Sequence, residues 1–132
     1  MQQRIVNHSR PLPSPETNDF WRAVDQRKLM ISRCADCQGA SFYPRPFCPH
    51  CGSDKTHLEQ VSGKGSIYSF SVMRKAEQPY VIAYVQLEEG PCLLTNIAGC
   101  DFGELEIGLN VRLEFAETND PGLLLPVFVP AE

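Results

Sequence analysis

Four cysteines in two Cys-x-x-Cys pairs constrain this chain more than any other feature: Cys34-Ala35-Asp36-Cys37 and Cys48-Pro49-His50-Cys51, separated by ten residues. Two thiolates three positions apart on a tight turn can point at one ion, and two such turns complete a tetrahedron. Four sulfurs leave no open coordination position, so Cys34, Cys37, Cys48 and Cys51 read as ligands of one structural metal ion. The competing reading is a disulfide framework. The opening residues, MQQRIVNHSRPLPSPETN, carry no apolar stretch of signal-peptide length, which makes a reducing cytoplasmic setting the expectation and favours metal over disulfides. Tetrahedral S₄ sites hold zinc or iron; zinc is the expectation here and iron the alternative.

The two turns differ in one residue. Gly52 follows the second pair and tolerates the positive φ often needed there, whereas Gln38 follows the first, with Gly39 one place later. Cys92 and Cys100, seven residues apart with no histidine near them, read as small buried or half-buried apolar residues.

Charge divides the 132-residue chain. Residues 1–60 hold eight basic and six acidic residues, and residues 61–132 hold four basic and ten acidic ones. Two such halves suggest two modules. Residues 1–15, with Pro11, Pro13 and Pro15, read as an extended arm. From about Pro15 to Lys28, Phe20, Trp21 and Val24 share one helical face, with cap candidates in Ser14–Asn18. Two expectations compete for that stripe: it packs on the metal module, or Phe20, Trp21 and Val24 form a docking surface for another protein. The helix and metal module together occupy 16–60. Some thirty residues around the cysteines build little core, so metal must contribute much of that module's folding energy.

Residues 61–132 read as strands. The glycines of Ser62-Gly63-Lys64-Gly65 allow a bend as the first strand begins. Residues 66–74 alternate, with Tyr68, Phe70 and Val72 on one side. In 80–88, Val81, Ala83, Val85 and Leu87 share a face. Stretches 92–98, 110–116 and 123–129 follow, and Pro126 in the last suggests an edge or a bulge. Five strands in about 70 residues match a five-stranded OB-type barrel. The fold expected is mainly β: a lead helix, a metal ribbon and a C-terminal barrel.

An ordered series of motifs resembles the DUF35 family. It comprises Phe20-Trp21, the CxxC–x10–CPxCG pattern, Ser62-Gly63-Lys64-Gly65, Pro79-Tyr80-Val81-Ile82-Ala83, Leu87-Glu88-Glu89-Gly90, and Ile107-Gly108 with Val111. The resemblance covers roughly residues 17–130. It implies a rubredoxin-like zinc ribbon followed by an OB fold, in a non-catalytic partner of thiolase-like or other acyl-CoA-processing enzymes. Relatives of this kind are thought to bridge subunits and to help hold or channel acyl-CoA. Gln38 departs from the glycine the family usually has after the first pair.

Two other classes compete with such a scaffold. A single-stranded nucleic-acid binder is one, with aromatic residues such as Tyr68 and Tyr84 stacking bases. The acidic second half argues against it, unless Arg27, Lys28, Arg33, Arg45 and Lys55 form one basic face. A rubredoxin-like electron carrier with bound iron is the other. His8, His50 and His57 have no recognisable nucleophile or acid partner, and a closed S₄ site activates no water, so no catalytic residues are expected. No apolar run suits a membrane span.

Overall fold

The computed structural model of the chain describes residues 3–4, 12, 14–75, 77–120 and 122–131. Nine strands, one α-helix and one short 3₁₀ turn occupy them. The helix α1 spans Asn18–Asp25, shorter than the expected Pro15–Lys28. Its end is fixed by a Schellman arrangement: the Arg27 N–H donates to the Val24 carbonyl at 2.8 Å and the Lys28 N–H to the Ala23 carbonyl at 2.9 Å. Arg27 takes the left-handed φ of 61° that such an end requires. At the start, Thr17 occupies the cap position, and its hydroxyl accepts from the Ser14 N–H at 2.9 Å.

Three strands make the ribbon sheet, in the order β3-β2-β4: β2 (Met30–Cys34), β3 (Ala40–Ser41) and β4 (Thr56–Gln60). The other sheet holds β1 (Gln3–Arg4), β5 (Lys64–Met73), β6 (Tyr80–Leu87), β7 (Cys92–Ile97), β8 (Asn110–Glu117) and β9 (Leu124–Pro130). Its order is β1-β8-β5-β6-β7-β9, and the added β8–β9 pairing closes the last five strands into the expected barrel. Within the expected arm, Gln3–Arg4 lie parallel to Ala116–Glu117 on β8. Most of the remaining arm lies outside the described residues.

The alternation read along β6 is the alternation observed: Val81, Ala83, Val85 and Leu87 are all buried. Along β5 the expectation needs correction. Phe70 and Val72 turn inward opposite Ala83 and Val81, but Tyr68 points out to solvent and Ile67 takes the core position. The cause is a bulge between Ile67 and Ser69, in which Tyr68 is the extra residue and alternation restarts one place later. Gly65 is needed for a different reason from a bend. A Cβ there would lie 2.6 Å from the Gln86 carbonyl oxygen, so only glycine lets β5 approach β6 so closely. Pro126 sits opposite Phe115 on β9, a strand that meets β7 only at the Ile97–Phe128 pair; the missing N–H costs no ladder bond there.

One hydrophobic cluster runs through the molecule. It begins with Phe20, Trp21 and Val24, continues through Leu29, Ile31 and Val61 and ends among barrel residues such as Ile67, Val85 and Phe128.

Candidate metal centre and the cleft beside it

Each Cys-x-x-Cys pair forms the same turn. The Gln38 N–H donates to the Cys34 carbonyl at 2.9 Å and the Gly52 N–H to the Cys48 carbonyl at 2.9 Å. Both residues take left-handed φ, 63° for Gln38 and 81° for Gly52. Gln38 does what glycine does elsewhere, at a steric cost offset by local hydrogen bonds. Its side-chain amide donates to the Ala35 carbonyl at 3.0 Å, and Arg33 Nη1 donates to the Gln38 carbonyl at 2.8 Å. The Arg33 guanidinium is held in turn by Glu59 across β2 and β4, at 2.8 Å from Nη2. That hydrogen bond keeps the Glu59 carboxyl below its ordinary pKa.

The four sulfurs converge. All lie within 4.8 Å of one another, with Cys34–Cys51 and Cys37–Cys48 each at 3.6 Å. A tetrahedral ion with bonds of about 2.3 Å places its sulfurs about 3.8 Å apart, so the spacing fits a metal of that size. Backbone N–H groups are aimed at the sulfurs: Cys37 and Gly39 donate to the Cys34 and Cys37 Sγ at 3.5 and 3.4 Å, and His50 to the Cys48 Sγ at 3.4 Å. Such donors stabilise thiolates and orient them, as the outer shell of a metal site does. The Cys37 N–H above all, opposed by burial, holds the Cys34 thiol down to about 7. At Cys51 the Ser53 N–H pulls the same way, but burial and the three neighbouring sulfurs prevail and push it up to about 12. Four thiolates this close need a cation among them.

His50 is exposed at the tip of the second turn, with Nε2 3.1 Å from the Ala40 carbonyl oxygen, tying one turn to the other. Of the two cysteines expected to be buried or half-buried, Cys100 is half-buried but Cys92 is exposed. Burial pushes the Cys100 thiol up, helped by Glu104 and Asp101.

The docking surface expected of Phe20, Trp21 and Val24 also needs correction. These side chains are only 1, 4 and 0% exposed. Phe20 is the hub of an aromatic cluster, with ring centroids 5.0 Å from Trp21, 5.5 Å from Phe42 and 5.1 Å from Tyr43, all edge-on. The stripe thus seals the helix onto the ribbon and barrel, and no partner reaches Val24. What it leaves is a cleft of about 440 Å³ between helix, ribbon and barrel. Phe20, Trp21 and Leu125 are among its apolar lining, with Arg45, Cys92 and Asn96 as polar members. Sequence patterning gave no sign of this cleft, because its walls come from the helix, the ribbon and three barrel strands, whose juxtaposition only the fold creates.

Among the described residues no helix is long and apolar enough to cross a membrane. Comparison with known proteins matches residues 21–57 to the ChsH2 rubredoxin-like zinc ribbon domain and residues 58–116 to the ChsH2 C-terminal OB-fold domain. A probable enoyl-CoA hydratase alpha subunit of Thermomonospora curvata is 43% identical over 129 residues, covering 92% of this chain and 40% of that protein. This chain therefore spans less than half the length of that relative. A DUF35 domain-containing scaffold protein of Methanothermobacter thermautotrophicus is 39% identical over 116 residues, covering 81% of this chain and 86% of that one. Among solved structures, the Ltp2-ChsH2(DUF35) aldolase contains a chain that superimposes with a TM-score of 0.83 at 41% identity, covering 93% of this chain and all of that one. With a zinc-ribbon turn pair, a five-stranded barrel and relatives of this similarity, the chain belongs to the DUF35 family.

Proposed function

We propose that the protein is a non-catalytic, cytoplasmic scaffold subunit of an acyl-CoA-processing enzyme of thiolase, aldolase or hydratase type. In this reading Cys34, Cys37, Cys48 and Cys51 bind one zinc ion whose role is to hold the ribbon together. The observation that carries the reading is the closed four-sulfur set. A tetrahedral ion on four thiolates has no position left for water or substrate, so it supplies structure and no Lewis acid. Support for the partner class comes from the aldolase structure whose DUF35 chain this one resembles, and from the hydratase alpha subunit of T. curvata. The apolar cleft beside Arg45 has the size and lining of a small-molecule site and suits the acyl portion of a CoA thioester held between subunits.

The test is reconstitution. The purified zinc-loaded chain alone should turn over neither enoyl-CoA nor β-ketoacyl-CoA, while adding it to a thiolase-type subunit should form a complex of defined stoichiometry. Turnover by the isolated chain in proportion to its concentration would overturn the scaffold assignment.

A further inference from the structure

Solvent-facing strands of an antiparallel sheet ordinarily alternate core residues with polar ones. On β8 they do: Arg112 and Glu114 form an ion pair on the strand. Across β5, β6 and β7 the outward polar residues are uncharged ones such as Ser71 and Gln86, and the one charged residue of 64–73, 80–87 and 92–97 is Lys64, at the first position of β5. The outer face of these three strands also presents Tyr68 at 63%, Tyr84 at 48% and Leu94 at 58% exposure. Tyr84 and Leu94 are directly opposite across β6 and β7, and the bulge sets Tyr68 outward beside the Ser69–Tyr84 pair. Tyr84 and Leu94 also line the cleft, which makes face and cleft one continuous surface.

We propose that this outer face of β5–β6–β7, uncharged beyond Lys64 at its edge, is where the scaffold docks its enzyme partner, through an uncharged apolar patch on that partner's surface. The inference rests on the function proposed above and assigns that contact to one side of the barrel. Depletion of charge with exposed tyrosines is the composition of an interface centre. A single lysine, Lys64 at the edge of the face, is too little positive charge to favour a phosphate backbone. Three strands about 4.8 Å apart and some five residues long give a footprint of roughly 240 Å². A stable interface takes about 800 Å² per partner, so the face is the centre of a larger contact. A second copy fits poorly, because it would set one acidic barrel half against another, each with ten acidic and four basic residues.

The experiment uses the Ltp2 subunit of the solved aldolase as the binding probe. Wild type should bind it. Tyr84→Lys and Leu94→Lys, both at exposed positions, should each weaken binding at least about 10-fold, and the double variant about 100-fold. Arg112→Glu on β8 should stay within about 3-fold of wild type. Thermal unfolding and metal content report that each variant is folded. A complex indifferent to the Tyr84 and Leu94 variants overturns the face and leaves the scaffold reading standing. No complex with wild type overturns both. Sedimentation of the chain alone should show a monomer to about 100 μM, and a dimer dissociated by Tyr84→Lys would contradict an enzyme as the occupant.

Discussion

The ribbon and the barrel are held together by different physics. Between residues 35 and 55 only Pro44 and Cys48 are buried, and the one strand wholly within that stretch, β3, is two residues long. In the barrel, four alternate residues of β6 alone are at most 2% exposed, and every barrel strand is paired along one or both edges. The ribbon turns thus lack the apolar area that holds the barrel, and a cation among four sulfurs replaces it. Where β2 meets the barrel, Leu29 and Ile31 belong to the common core, so the difference is confined to the two cysteine turns.

The sharpest way to break the contrast is to remove the metal. Chelation, or Cys48→Ser, should abolish amide-exchange protection across 35–55, a loss on the order of 10 kcal/mol of metal-binding energy, while 81–87 stays protected. Equal loss in both regions would mean that the ribbon and barrel are one cooperative unit. Next in size is Phe128→Ala in the barrel, where the side chain is fully buried. It should cost about 3–5 kcal/mol by denaturant unfolding, with zinc retained up to the transition. Gly65→Ala should cost about 1–3 kcal/mol, because its methyl would press on the Gln86 carbonyl.

Two smaller effects sharpen the ribbon side. Glu59 has its pKa lowered by the Arg33 hydrogen bond, so it contributes stability above its unfolded pKa near 4.5 and loses it as pH falls through the lower folded value. Glu59→Gln should therefore destabilise by less than about 1 kcal/mol at pH 7, and the difference from wild type should shrink as pH falls below 4.5. A difference that does not shrink on acidification would show that the pair acts by packing alone. Gln38→Gly should change stability least, within about 1 kcal/mol, because relief of the left-handed backbone is opposed by loss of the amide bond to Ala35.

How legible these features were in the sequence depended on how local their causes are. The cysteine turns and the alternation of Val81, Ala83, Val85 and Leu87 are short-range patterns, and they fold as read. The Tyr68 bulge was hidden because a one-residue mismatch exists only relative to the partner strand, which period-2 reading along β5 never sees. The amphipathic stripe of Phe20, Trp21 and Val24 specified burial of a helical face but not what buries it; the ribbon aromatics Phe42 and Tyr43, distant in sequence, decide that. Gln38 marked a departure from a glycine pattern, yet Arg33 and its own amide supply the compensation. The cleft and the charge-poor face become visible only once the barrel strands, the ribbon and the helix are in place.

Native mass spectrometry of the intact, reduced chain tests the metal clamp most directly. Folded charge states should carry one zinc ion per chain, and removing it should convert them to states with the 35–55 segment unfolded. Folded charge states without any bound metal would contradict it.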